Sequence, residues 1–241
     1  MPRNKAETEK IVGGVAHNFG NLFTIILGHA ELAVDNLSQE GLHGHNLEEI
    51  RKAVLRGRDV IRQLRSYVRP DNEHLHEVCH LAQLVRETGE VMRTVSLLSV
   101  EISSHVDETS DLVRGDATQL REMLTNLYIN AAEAMEERGG ELRVELGNET
   151  HFSRNLLKGY RQKKYLALRI SDTGCGMSKE TQKMVFDPFF TTKRGERIGM
   201  GLAIVRAVVE RHSGTVCVRS KLGKGTSFTI ALPRITTGPN G

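Results

Sequence analysis

The chain carries two hydrophobic rhythms, and one gives way to the other near Pro70. Before that proline, Ile11, Val15, Leu22, Ile26 and Ala33 follow steps of four and seven, and Leu47, Ile50, Val54, Ile61, Leu64 and Val68 keep a helical spacing of their own. The segment Gly41 to His45 separates the two runs with a pair of glycines, as a helix-to-helix connection does. This pattern predicts a first helix over about residues 5–38 and a second ending at Pro70, folded back as a hairpin. A lone hairpin covers only one face of each helix. A second copy would cover the other, so a homodimeric four-helix bundle is expected.

Beyond Arg69 the chain is polar up to Val78 and then changes period. The resulting division is a helical hairpin over 1–70, a hinge linker over 71–78 and a second domain over 79–236. In the second domain, helical patterns near 80–94, 116–138, 178–185 and 201–213 alternate with the β-rich runs LLSVEI, ELRVEL, YLALRIS, TVCVRS and SFTIALP. The last two runs sit close together across LGKG and must pair as a hairpin. The class is therefore α+β, with a two-layer α/β sandwich after the helical hairpin. Residues 147–164 read as a variable surface loop and ITTGPNG as a frayed tail.

Composition removes several classes of function. The 33 basic and 30 acidic residues are interspersed, so no nucleic-acid partner is expected. Cys79, Cys175 and Cys217 lie far apart without a C-x-x-C pair, which fits a reducing cytoplasm. No apolar run approaches the roughly 18 residues that span a bilayer, and the start MPRNKAETEK has no signal-peptide core, so this segment is expected to make no membrane contact.

Four elements of the second domain have the character of a nucleotide pocket. In LREMLTNLYINAAEAM, Asn126 and Asn130 share a helix face; their carboxamides can hold a hydrated Mg²⁺ without adding negative charge, although alone they read equally well as surface or capping residues. Asparagine inside an apolar helix is unfavourable by propensity, which tilts the balance towards function. In SDTGCGM, Asp172 can accept from the exocyclic amine of a base, while Gly174 and Gly176 permit close backbone approach to its ring. In DPFFTTK, Phe190 and Thr192 belong to a segment able to cover a pocket while Lys193 reaches a phosphate. In GMGLAIV, Gly199 and Gly201 open a helix whose free N–H groups suit phosphate oxygens. Each string alone is a weak signal; their order and spacing make a strong one.

Together these strings resemble the N, G1, F and G2 boxes of histidine kinases, within the ATP-binding fold shared with DNA gyrase, mismatch-repair ATPases and a heat-shock chaperone. LGKGTSF, residues Leu222 to Phe228, is similar to the glycine turn before that family's last strand. The resemblance covers residues about 75 to 235 and implies a Bergerat-type sandwich binding ATP and Mg²⁺. It places Asn126, Asn130 and Glu133 at the Mg²⁺ and phosphate site, with Asn130 as metal ligand, and Asp172 on adenine. It also assigns Gly174, Gly176, Phe190, Thr192, Leu202 and Thr226 to the nucleotide, and the segment from Lys193 through Gly199 and Met200 to Gly201 to the ATP lid. Hydrolytic relatives carry a water-activating glutamate where this chain has Asn126, and an amide cannot take a proton from water. Glu122 lies one turn earlier.

VAHNFGNLFTIILGHAEL, residues 15–32, resembles the phosphoacceptor box of nitrogen-regulatory-type and hybrid kinases. His17, Asn21, Thr24 and Gly28 form a stripe offset from the apolar one, so His17 is expected to face solvent as a neutral nucleophile. The family places an acidic residue directly after the histidine, whereas this chain has Asn18, which can orient the ring but cannot accept its proton. Asn21 stands where the family positions water for dephosphorylating its partner. The implied activity is a protein-histidine kinase that autophosphorylates His17 and passes phosphate to a response-regulator receiver domain, with possible phosphatase work through Asn21. The alternatives are a nucleotide-binding pseudokinase scaffold and a gyrase-type ATP hydrolase.

Overall fold

A computed structural model describes residues 5–35, 47–54, 57, 77–95, 100–107, 111–148, 165–192 and 198–235, with backbone alone at 5–14, 16–18, 34–35, 95 and 148. The expected connection at 41–45, the hinge over 71–76, the loop from 149 to 164 and Lys193 lie outside the described residues. The chain divides into two compact units, residues 1–69 with 187–200 and residues 70–186 with 201–241.

In the first unit, α1 (Lys5–Asp35) is the long helix that the apolar spacing predicts. A second helix, α2, is described over residues 47–54. The two meet through buried Leu22 and Ala53, with Phe19, Ile25, Ile26 and Ile198 packed around them. Phe23 and Leu27 on α1 and Leu47 and Val54 on α2 remain more than half exposed, at 64, 60, 59 and 54%. Asn21 and Thr24 are exposed, as the offset stripe requires.

The second unit begins with β1 (Val78–His80) and α3 (Leu81–Val95), followed by β2 (Val100–Val106), β3 (Leu112–Arg114) and α4 (Ala117–Ala134). Then come β4 (Gly140–Asn148), β5 (Tyr165–Asp172), α5 (Lys179–Met184), α6 (Gly201–Arg211), β6 (Thr215–Lys221) and β7 (Gly225–Pro233). Five strands form one mixed sheet in the order β2-β4-β5-β7-β6, parallel at β2–β4 and antiparallel elsewhere; β1 and β3 make a separate antiparallel pair. The expected hairpin of the last two strands is present as β6–β7.

Alternation along the strands explains the two layers. Val144 and Leu146 register with Ile170 and Leu168 of β5, which in turn register with Phe228 and Ile230 of β7, and all are buried, as is Leu142 at the start of β4. The intervening Arg143, Glu145, Arg169, Ser171, Ser227 and Thr229 line a polar hollow on the opposite face. A period of two thus gives one apolar face for helices and one polar face.

Helix α4 fills that apolar layer. Asp116 caps it by accepting from the Thr118 and Gln119 amides at 2.8 and 3.2 Å, satisfying donors that a helix start leaves free. Leu120, Met123, Leu124, Leu127 and Tyr128 are at most 1% exposed, and each such side chain contributes about 1.5–3 kcal/mol of apolar burial. Truncating one of them, Leu124→Ala for example, would cost about 2–5 kcal/mol. The far end of α6 is tied to the same cap. The buried His212 ring accepts the Asp116 amide at Nε2, 3.1 Å away, which leaves Nδ1 to donate to Val208 O at 2.8 Å. Burial holds His212 below the ordinary histidine range. Among the described residues, no helix is long and apolar enough to cross a membrane.

Candidate functional site

Asn126 and Asn130 lie one turn apart on α4, and the amino end of α6 is brought up to them. A Cβ built on Gly201 would stand 3.0 Å from Asn126 Oδ1 and 3.8 Å from Asn130 Nδ2, so glycine permits this approach. Asn126 is held by its Nδ2, which donates to Glu122 O at 3.0 Å. The Asn130 Nδ2 is buried and has no hydrogen-bond partner among the described residues. A buried amide donor costs roughly 1–3 kcal/mol when left unmet, so its position beside free helix-start N–H groups suits an anionic oxygen. Glu133 follows on the same helix, and its Oε1 is buried.

The second element is the turn after β5. Asp172 is 8% exposed, and its Oδ1 accepts from the Gly174 amide at 2.9 Å and the Thr226 amide at 3.1 Å. Among the described residues no other residue donates to Oδ2. Burial pushes the carboxyl above the ordinary aspartate range, while the Gly174 and Thr226 amides pull it back.

The two turn glycines are required by the packing of the backbone around them. A Cβ on Gly174 would lie 2.5 Å from Ala134 O at the end of α4, whose carbonyl takes the Cys175 amide at 2.9 Å. Gly176 has φ +68, and its Cβ would collide with Lys221 O. These glycines let the turn approach neighbouring backbone. The β6–β7 turn closes over the same place, with the Gly223 amide donating to Cys175 O at 2.7 Å.

Residues 187–192 and 198–200 belong to the first unit. Pro188 is buried, Phe189 has φ 64, and the Phe190 amide donates to Asp187 O at 3.2 Å. Gly199, at φ +74, lies so close to this segment that a Cβ would sit 2.6 Å from Phe190 O. Met200 is 2% exposed, Thr192 is exposed and Leu202 is half-buried. Only the backbone of His17 and Asn18 is described, within α1.

Thus Asn126, Asn130, Gly201, Asp172, Gly174, Gly176 and Thr226 are all found in the second unit, the first three in one cluster and the rest around the turn after β5. Gln182 and Ser220, which fall outside the four nucleotide-pocket strings, hold that turn from behind: the Ser220 hydroxyl accepts the Met177 amide at 2.7 Å. Glutamine and serine in short polar runs carry no periodic signal, so only the packed backbone reveals them.

An apolar sheet face backed by α3, α4 and α6 makes a two-layer α/β sandwich in which an asparagine helix faces a helix start. The profile of the family described as histidine kinase-, DNA gyrase B- and HSP90-like ATPase matches residues 115–236, and the chain belongs to that family. It is 31% identical over 225 residues to the signal transduction histidine-protein kinase AtoS of Escherichia coli (strain K12), covering 93% of this chain and 34% of that protein. It is 29% identical over 231 residues to the sensor kinase CckA of Brucella abortus (strain 2308), covering 94% and 24%. Among solved structures, the mycobacterial sensor histidine kinase MprB aligns with TM-score 0.53 and 28% identity over 66% of this chain and 97% of that one. The histidine kinase ThkA, in complex with the response regulator protein TrrA, aligns with TM-score 0.69 and 20% identity over 93% and 61%. The resemblance read from the sequence boxes is borne out, and the chain spans about a quarter to a third of the length of the two curated relatives named.

Proposed function

We propose that this chain is the catalytic core of a two-component sensor histidine kinase, which binds ATP with Mg²⁺ in its second unit and moves the γ-phosphoryl group onto His17. The observation that carries the reading is the buried, unmet Asn130 amide beside the amino end of α6. In this reading Asp172 Oδ2 accepts from the exocyclic amine of adenine, and the N–H groups that open α6 at Gly201 and Leu202 donate to phosphate oxygens. Asn130 would hold Mg²⁺ through its carboxamide oxygen, with Asn126 and Glu133 beside it, and the ion would supply charge neutralisation across the phosphates. The family resemblance supports Phe190 and Thr192 as nucleotide contacts and the segment from Lys193 to Gly201 as the ATP lid, with Lys193 as a phosphate contact.

The neutral imidazole of His17 then attacks the γ-phosphorus in line. A nitrogen–phosphorus bond forms as the bond to the bridging oxygen breaks and ADP leaves. Asn18 orients the ring but cannot take its proton, so that proton passes to water. The phosphoryl group next moves to an aspartate of a response-regulator receiver domain, a partner supported by the likeness to a kinase solved with its regulator. The family resemblance supports Asn21 as the residue that holds water for dephosphorylating that partner. The exposed Phe23, Leu27, Leu47 and Val54 supply apolar surface for a second copy, which supports a homodimer. The free thiols of Cys79, Cys175 and Cys217 suit a cytoplasmic setting.

Incubation with γ-labelled ATP tests the proposal. Magnesium-dependent, acid-labile label is expected on the intact chain and none on His17→Gln; label that persists in His17→Gln would overturn the assignment. Replacing Asn18 with Asp is expected to speed labelling, and an unchanged rate would refute the role given to Asn18. That same residue favours a second reading, a nucleotide-binding scaffold without transfer, for which the result would be ADP binding with no label. Steady phosphate release from an unlabelled chain would instead indicate a hydrolase, against which Asn126 argues.

A further inference from the structure

Strand β6 is the last in the order β2-β4-β5-β7-β6, and an edge strand leaves N–H and C=O groups without a neighbouring strand. At Ser220 one side chain meets both. Gln182 Nε2 donates to Ser220 O at 3.0 Å, and Gln182 Oε1 accepts the Ser220 amide at 3.2 Å. The carboxamide therefore pairs with β6 as a single residue of a sixth strand would. Its Nε2 also lies 3.1 Å from Met177 O and 3.2 Å from Ser178 O, the carbonyls that lead into α5.

The serine hydroxyl continues the connection inward. Ser220 Oγ accepts the Met177 amide at 2.7 Å and lies 2.9 Å from both Gly225 O and Thr226 Oγ1. A hydroxyl has one hydrogen, so donation to Gly225 O makes Thr226 Oγ1 the donor in the other contact. The Thr226 amide in turn donates to Asp172 Oδ1, which also takes the Gly174 amide. The Met177 amide on Ser220 Oγ joins the turn from Gly174 to Ser178 with the β6–β7 hairpin, Gln182 of α5 holds both, and Asp172 accepts one amide from each.

We infer that Gln182 and Ser220 are positioning residues for purine recognition: by fixing the turn against the hairpin they set the direction of Asp172 Oδ2, and so the preference for a base bearing an exocyclic amine. The inference rests on the reading of Asp172 as the base acceptor. Neither residue is bonded to the Asp172 carboxylate itself, which takes the Gly174 and Thr226 amides, so each acts through the turn and the hairpin. Their contribution therefore lies in selectivity, not only in stability.

The test compares the magnesium complexes of ADP and IDP, which differ in carrying an amine or a carbonyl at the same ring carbon. Calorimetric titration of the full chain gives both dissociation constants for wild type, Gln182→Met and Ser220→Ala, and urea unfolding is followed on the same samples. The wild type is expected to prefer ADP, and each variant to lose roughly tenfold of that preference, mainly through weaker ADP binding. Variants that unfold at lower urea but keep the wild-type ADP-to-IDP ratio would overturn the inference while leaving the role of Asp172 intact. A wild type that binds ADP and IDP equally would overturn the base-acceptor reading itself. Should Gln182→Met fail to fold, Gln182→Glu, which keeps an acceptor for the Ser220 amide, supplies the same ratio.

Discussion

A single methyl group added at Gly201 separates the demands of the cleft from those of the fold. The new carbon would lie 3.0 Å from Asn126 Oδ1 and 3.7 Å from its Cγ, so Asn126 must give way by a few tenths of an ångström. Its carboxamide is tethered to Glu122 O, a bond with a net worth of about 0.5–1.5 kcal/mol. Replacing glycine by alanine in a helix returns up to about 1 kcal/mol, because the unfolded chain has less freedom to lose. The two effects offset, and Gly201→Ala is expected to unfold within about 1 kcal/mol of wild type. Nucleotide binding has no such compensation. The methyl fills space between the amino end of α6 and both asparagines, where a phosphate oxygen is proposed to sit, so affinity for magnesium–ADP should fall at least about tenfold, or ~1.4 kcal/mol. Calorimetric titration beside urea unfolding reads both quantities. Unchanged affinity would refute the placement of the phosphates, and a loss explained entirely by unfolded protein would refute the separation of the two effects.

Two further outcomes follow from buried ionisable groups. Asp172→Asn keeps an acceptor for the Gly174 and Thr226 amides but presents a donor where Oδ2 stood; ADP affinity is expected to fall about a hundredfold. Burial raises the Asp172 carboxyl, so the native state holds its proton to higher pH than the unfolded chain and ionisation costs stability as pH rises; the Asn variant should be at least as stable at neutral pH, which urea unfolding checks. For His212 the sign is opposite. Its depressed native value means that stability is complete above the ordinary value of 6.5 and is lost as pH falls through the native one. Urea midpoints between about pH 5 and about pH 8 should slope less in His212→Gln than in wild type.

The helices were legible because their apolar period is long and regular: 80–94 and 201–213 were expected, and Leu81–Val95 and Gly201–Arg211 are found. The helix expected over 116–138 ends at Ala134, where Met135 caps it and the chain turns into Gly139 and Gly140, both at positive φ. The short strands β1 and β3, three residues each, were invisible because no period can be read over so few positions. Strand β2 was expected over 97–102 and is found at Val100–Val106, since its polar half, from Ser103 to His105, is recruited by parallel pairing with Arg143 to Glu145. Tertiary pairing overrode local preference there. At the site, residue types were legible and their neighbours were not. Asp172 spends one oxygen on backbone amides, and Gly174 makes room for Ala134, both consequences of chain segments distant in sequence.

The helix from Ala117 to Ala134 also lies in the connection between β2 and β4, the one parallel pair among the described strands of the five-stranded sheet. A wall of the pocket is therefore laid only when segments far apart along the polypeptide have found each other. Molecules halted short of that closure can possess strands yet offer no receptor, so bound nucleotide counts finished molecules alone. Such a ligand should prolong the life of the native protein without hastening its birth.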